Sequence, residues 1–222
     1  MTSTGTDTTG IDTTGIDTTG TGTTGTGTTG IDVTEWTLEM RDRADLRPAA
    51  EPPGEMAFSL AGTASPDLSR ALYAAVGARV CWTDRFGWTH ADWARWLARP
   101  GLATWIAMAE GTVAGYFELE AQPGGDTEVH LVGLVPAFVG RGFGGHLVEQ
   151  CARRAWRRGK AWAEDLGPAR RVHLTTSTLD HPNARGNYLR RGFTVAAERT
   201  WRKAVPDPRA VAWPLPADPR PV

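Results

Sequence analysis

The first 33 residues contain no aromatic residue, no leucine and no lysine or arginine. They run through TTGID and TTGTG copies with a period of five, in which only Ile11, Ile16 and Ile31 recur as apolar side chains. A segment of that composition cannot bury enough apolar surface to offset the entropy of ordering it, and a five-residue period matches no stacked-repeat architecture. The expectation is a disordered tail over residues 1–34. Cysteine is almost missing, with Cys81 and Cys151 alone, the second on the apolar face of an expected helix. That argues against a disulfide framework and a thiolate metal site, and no metal is expected. No window approaches the ~18 uninterrupted apolar residues of a membrane span, and no basic start leads into an apolar stretch. These absences predict a soluble, cytoplasmic protein with no membrane partner. There is no Gly-Lys-Ser/Thr, so a Walker-type phosphate loop is excluded.

What is present begins after Val33. All ten tryptophans lie between Trp36 and Trp213. Residues 35–204 have the length of one domain, followed by a Pro-rich tail over 205–222. The net charge is −1, yet residues 139–203 hold 14 Lys or Arg against 5 Asp or Glu. A basic half suits a polyanion, either nucleic acid or a multiply phosphorylated cofactor. No nucleic-acid motif accompanies it, and the arginine pairs at 153/154 and 157/158 occupy the polar face of one helix. Nucleic acid is therefore not expected as a partner.

Apolar periodicity gives the elements. Residues 66–76 read as a helix with Pro66 near its first turn and Leu68, Leu72 and Val76 on one face. Thr89 is placed to cap a second helix carrying Trp93, Trp96 and Leu97, stopped by Pro100. The period then changes to that of strands over about 103–109, 112–121 and 127–135, with turns at Glu110-Gly111 and at 123–126, which predicts an antiparallel meander. On the third strand, strict alternation puts Glu128, His130, Val132 and Leu134 on one face. An amphipathic helix follows, with Leu147, Val148, Cys151 and Ala152 on its apolar side. A strand over 172–178, a short helix from Asn183 closed by Gly192, and a last strand complete a mixed α/β (α+β) fold.

The segment GLVPAFVGRGFGG, residues 133–145, joins the third strand to the amphipathic helix. Glycines there leave backbone N–H groups and the positive end of the helix dipole open to an anion. GRGFGG also satisfies G-x-G-x-x-G, the dinucleotide fingerprint. Against a nicotinamide site stand the preceding meander, the short chain remaining after the motif and the six residues between Val135 and Gly142. No acidic residue ends a strand ~20 positions later.

From about Met56 to Lys203 the chain resembles the GNAT-type N-acetyltransferases. Their acetyl-coenzyme A motif, Q/R-x-x-G-x-G/A, reads here Val139-Gly140-Arg141-Gly142-Phe143-Gly144, with Val139 departing from the pattern. A second feature of the family, a short Asn-containing helix with a Tyr before Gly-Phe, appears as NARGNYLRRGF at 183–193. The resemblance implies a GNAT-like mixed sheet and transfer of the acetyl group of acetyl-coenzyme A to a primary amine by direct attack. The amine belongs to a small molecule, a peptide or a protein. A non-catalytic acyl-coenzyme A sensor is the alternative. By resemblance, Leu134, Val135, Val139, Gly140, Arg141, Gly142, Phe143, Gly144, Gly145, Asn183 and Asn187 hold the coenzyme. Tyr188 protonates the departing thiolate, and Glu128 deprotonates the amine. Burial beside Val and Leu would make Glu128 a better base, with His130, Glu118 and Glu120 as further candidates. Trp82, Arg85, Trp88 and Glu118 are expected to wall the acceptor site, with core packing an equal alternative for Trp82, Arg85 and Trp88. Asn183 also has a sufficient role as a helix cap; Asp180 and His181 either face the same cleft or serve as turn residues. Oligomeric state, a homodimer included, is left open.

Overall fold

The computed structural model describes residues 28–77, 80–85, 87–158 and 162–206. Its strands are β1 (Thr28–Met40), β2 (Met56–Leu60), β3 (Leu102–Ala109), β4 (Thr112–Ala121), β5 (Asp126–Leu134), β6 (Arg171–Ser177) and β7 (Thr194–Pro206). The helices are α1 (Pro66–Gly77), α2 (His90–Leu97), α3 (Phe143–Trp156) and α4 (Ala184–Arg190). One seven-stranded sheet runs in the order β2-β3-β4-β5-β6-β1-β7. Every neighbouring pair is antiparallel except β5 and β6.

Two strands were not expected from the sequence. β2 alternates Met56, Phe58 and Leu60 inward with Ala57 and Ser59 exposed, the period of a half-buried strand. β1 places Val33, Leu38 and Met40 in the core. It begins at Thr28, so the boundary drawn at residue 34 moves back. The last TTGID copy, residues 28–32, pairs with Arg202–Pro206 of β7. That pairing supplies its backbone hydrogen bonds, while Ile31 and Asp32 stay exposed. β7 likewise runs two residues past 204. The tail assignments for residues 1–27 and 207–222 lie outside the described residues.

Helix starts follow local chemistry. Thr89 accepts from the Asp92 amide while Asp92 accepts from Thr89, a complete capping box for α2. α1 and α2 cover one face of the sheet, where Leu72 and Val76 pack with Tyr116 and Leu131. α3 and α4 cover the other, where Leu147, Val148, Cys151 and Tyr188 pack with Leu119, Val129, Val132 and Leu134.

Strict alternation fails on β5. Leu119 pairs with Val129 and Glu118 with Leu131, so His130 is an extra residue in a β-bulge. The bulge inverts every side chain after it. Leu131 and Gly133 therefore face α1, and Val132 and Leu134 face α3, the reverse of the sequence reading. Gly133 lies so close beneath α1 that a Cβ there would run into Val76.

Candidate active site

The ladder between β5 and β6 is short, running from Asp126/Arg171 to Val129/Leu174. Beyond it the strands part, and a cleft of about 570 Å³ opens through the sheet. On the α3 side it is lined by the glycine loop, Asn187 and Tyr188; on the α1 side by Val76, Trp82, His130, Leu131 and Gly133.

Backbone dominates the first of these walls. Gly140 and Gly142 take φ of 79° and 94°, left-handed values that a side chain disfavours. Gly142 is the N-cap of α3, and no side chain caps that helix. Its first-turn amides are left for an anion. Just past the end of β5 the Val135 amide donates to the Ala114 carbonyl at 2.9 Å, toward β4. Amides alternate sides along a strand, so those of Val132 and Leu134 point the other way, into the cleft.

The second wall is made of side chains. His130 Nε2 lies 2.8 Å from Glu120 Oε2, and its Nδ1 lies 3.4 Å from Glu128 Oε1. Arg99 stands 2.5 Å from the Glu120 carboxylate, and the Gln122 amide donates to Glu128 at 3.0 Å. The Trp96 ring packs edge-on against the imidazole, 4.9 Å between centroids. One ligand-type atom from each of Glu120, Glu128 and His130 falls within 4.8 Å of the others. Within that group the Arg99 guanidinium donates to Glu120 and the Gln122 amide to Glu128.

Several expected site residues sit in the cleft. Leu134, Val139, Gly140, Gly142, Gly144 and Gly145 line it, as do Asn183, Asn187 and Tyr188. Asn187 donates to the Gly144 carbonyl at 2.9 Å and ties α4 to the first turn of α3. Asn183 makes no capping hydrogen bond, so its capping role is not realised. Burial first, and the Asp180 charge second, raise the Tyr188 phenol well above its ordinary range.

Other expectations need correction. Val135 spends its amide on β4. The Arg141 side chain turns away, pairing with Glu110 in the β3–β4 turn and covering the Phe138 and Phe143 rings. Phe143 is 0% exposed, so its side chain belongs to the core. Arg85 and Glu118 bind each other at 2.9 Å beneath α2 rather than walling the cleft, with the Trp96 indole donating to the same carboxylate. The Arg85 guanidinium is enclosed by the rings of Trp96 and Trp88 at 4.2 and 4.8 Å. Trp88 itself packs on Trp93. Glu128 is 30% exposed and meets Gln122 and His130, not the apolar surroundings expected. Trp82 alone of the proposed acceptor wall lines the cleft. Asp180 and His181, read either as cleft or as turn residues, line it too, and so does Arg190, which the sequence did not single out.

A model of the acetyltransferase (GNAT) family matches residues 70–193. The chain belongs to the GNAT family. Its fold is shared with a GCN5-related N-acetyltransferase from Kribbella flavida, at 18% identity and a TM-score of 0.52, covering 82% of this chain and 61% of that one. A GCN5-related N-acetyltransferase from Sphaerobacter thermophilus matches at 17% identity and 0.53, covering 82% and 54%. The chain thus spans under two thirds of the length of these GNAT proteins. Among curated proteins nothing matches it. GNAT proteins are acyltransferases that use acetyl-coenzyme A, and the opened β5/β6 pair beside an uncapped helix is where this chain has room for such a ligand. Among the described residues no helix is long and apolar enough to cross a membrane.

Proposed function

We propose that this protein transfers the acetyl group of acetyl-coenzyme A to a primary amine by direct attack, with the amine entering from the α1 side. The observation that carries this reading is the cleft itself. It passes through the sheet from a phosphate-type cradle of amides on one side to an imidazole held by two carboxylates on the other.

The first-turn amides of α3 and those of Gly140 and Gly142 hold the pyrophosphate, and the Leu134 amide, facing the cleft, holds the thioester oxygen. Acetyl-coenzyme A supplies the activated acyl group. The Nε2 proton of His130 is held by Glu120, which leaves Nδ1 as an acceptor beside Glu128. An ammonium arriving there donates to both and gives up its proton to the pair, so Glu128 works together with His130 rather than alone. The N–C bond forms as the C–S bond breaks, and the Tyr188 hydroxyl protonates the leaving sulfur. A phenol kept protonated by burial is a suitable acid for that step.

The test has two stages. Calorimetric titration with acetyl-coenzyme A should show one site, with NADH giving no binding. Transfer to an amine should then fall roughly a hundredfold in kcat in His130→Ala and in Tyr188→Phe, with acetyl-coenzyme A affinity kept within about twofold. Binding without transfer to any amine would leave the protein as an acyl-coenzyme A sensor. Absence of binding would remove both readings.

A further inference from the structure

Resting on the transferase reading, we infer that Arg190 binds the 3′-phosphate of the coenzyme, so that this protein selects coenzyme A over its 3′-dephosphorylated form. Asn183, Gly186, Asn187 and Arg190 follow one another at helical spacing along α4 and its N-cap, and so share one face. Asn187 turns that face to the first turn of α3, donating to the Gly144 carbonyl at 2.9 Å. Arg190 leans back along the same face, as helical side chains do, and a Cβ on Gly186 would meet its Nη1 at 3.2 Å. The residue is exposed and lines the cleft. Its guanidinium therefore stands at the rim, beside the cradle of amides.

Among the described residues no carboxylate pairs with Arg190. Its neighbour Arg191 adds to the imbalance, because a Cβ on Gly145 would meet Arg191 Nη1 at 2.9 Å and the Arg191 Nε is buried without a hydrogen-bond partner. Glu149, one turn further along α3, is already held by Arg153 and the Ala49 amide. Two guanidiniums thus flank the positive end of the α3 dipole, an arrangement that suits a polyanion. Arg141, the cation within the loop itself, is committed to Glu110. The coenzyme presents its groups in a fixed order: thioester, pantetheine arm, pyrophosphate, then a ribose carrying the 3′-phosphate. Under the transferase reading Tyr188 and the Leu134 amide take the first, and the amides of the glycine loop and α3 the third. The last is a monoester of about −1.5 to −2 charge that reaches the rim, where the nucleotide leaves the cleft. A guanidinium there can donate two parallel hydrogen bonds to it.

Calorimetry on the full-length protein compares coenzyme A with 3′-dephospho-coenzyme A, and neither titration needs turnover. Coenzyme A should bind roughly tenfold or more tightly than the dephosphorylated form. In Arg190→Gln the preference should fall to within about twofold, through weaker coenzyme A binding alone, while the dephosphorylated form keeps its affinity. Arg190→Lys, which keeps the charge and loses the paired donors, should recover part of the preference. Raising the salt concentration should shrink it in the unmodified protein, since the rim is open to solvent. Equal affinity for the two coenzymes, or a preference that survives in Arg190→Gln, overturns the inference and leaves the transferase reading standing. Equal weakening of both by Arg190→Gln puts the guanidinium on the pyrophosphate and overturns it as well. Binding of neither coenzyme is a different failure, which removes the transferase reading and this inference with it.

Discussion

On the α3 side the cleft is walled by main chain, whereas on the α1 side it is walled by side chains whose partners come from three or four separate elements. The first wall needs glycines at left-handed positions and a helix start without a cap, all within residues 140–145. The second needs Arg99, from beyond α2, to meet Glu120 of β4, and His130 of β5 to meet Glu120 and Glu128; behind it Arg85, from the segment between α1 and α2, holds Glu118 of β4. A backbone site depends on local conformation; a side-chain site depends on the tertiary fold. The two should therefore fail differently.

The largest effect is expected just behind the side-chain wall, beneath α2. Arg85→Ala strands a carboxylate that is 1% exposed and should cost about 3–5 kcal/mol in urea unfolding. Acetyl-coenzyme A affinity of the folded fraction should stay within about twofold. Joint loss of both would mean the walls are one unit. On the backbone wall, Gly142→Asp sets a negative charge and a strained left-handed residue at the cradle. Calorimetry should show roughly a hundredfold weaker acetyl-coenzyme A binding, about 2.7 kcal/mol, against a folding cost of about 1–2 kcal/mol. Arg141→Ala sharpens the contrast, because its partly exposed pair with Glu110 is worth about 1 kcal/mol or less. An affinity loss as large as that of Gly142→Asp would show that the Arg141 side chain touches the coenzyme after all.

The smallest effect lies outside both walls. Burial holds the His146 imidazole below its ordinary value, and burial followed by the Arg171 charge does the same for His173. In the window between the folded and unfolded values the unfolded chain binds the extra protons, so stability rises with pH and levels off above about pH 6.5. Melting temperature should accordingly increase between about pH 5 and about pH 7. Substituting both histidines by Gln should flatten that slope.

The same contrast explains what could be read from the sequence. Helices α1 to α4, the meander and the glycine loop are local patterns, and all were legible. β1 was hidden by its threonine-rich repeat, although Trp36, Leu38 and Met40 alternate with polar residues, and β2 by the brevity of its Met56, Phe58, Leu60 signal. In the site, the glycines and Tyr188, expected there from the resemblance of two short segments, line the cleft. Arg85, Trp88 and Glu118 were misplaced because nothing short of the fold brings a guanidinium from residue 85 to a carboxylate on β4. Asp180 kept two readings, cleft or turn, because a turn is reason enough for an Asp until the fold sets Trp82 beside it.

The bulge on β5 carries one more implication. With His130 deleted outright, Val129 and Leu131 would still stand opposite Leu119 and Glu118, the partners they already have. The imidazole is thus a guest in a sheet that is complete without it, and under the proposed mechanism the proton acceptor is an insertion whose removal would not redraw the fold.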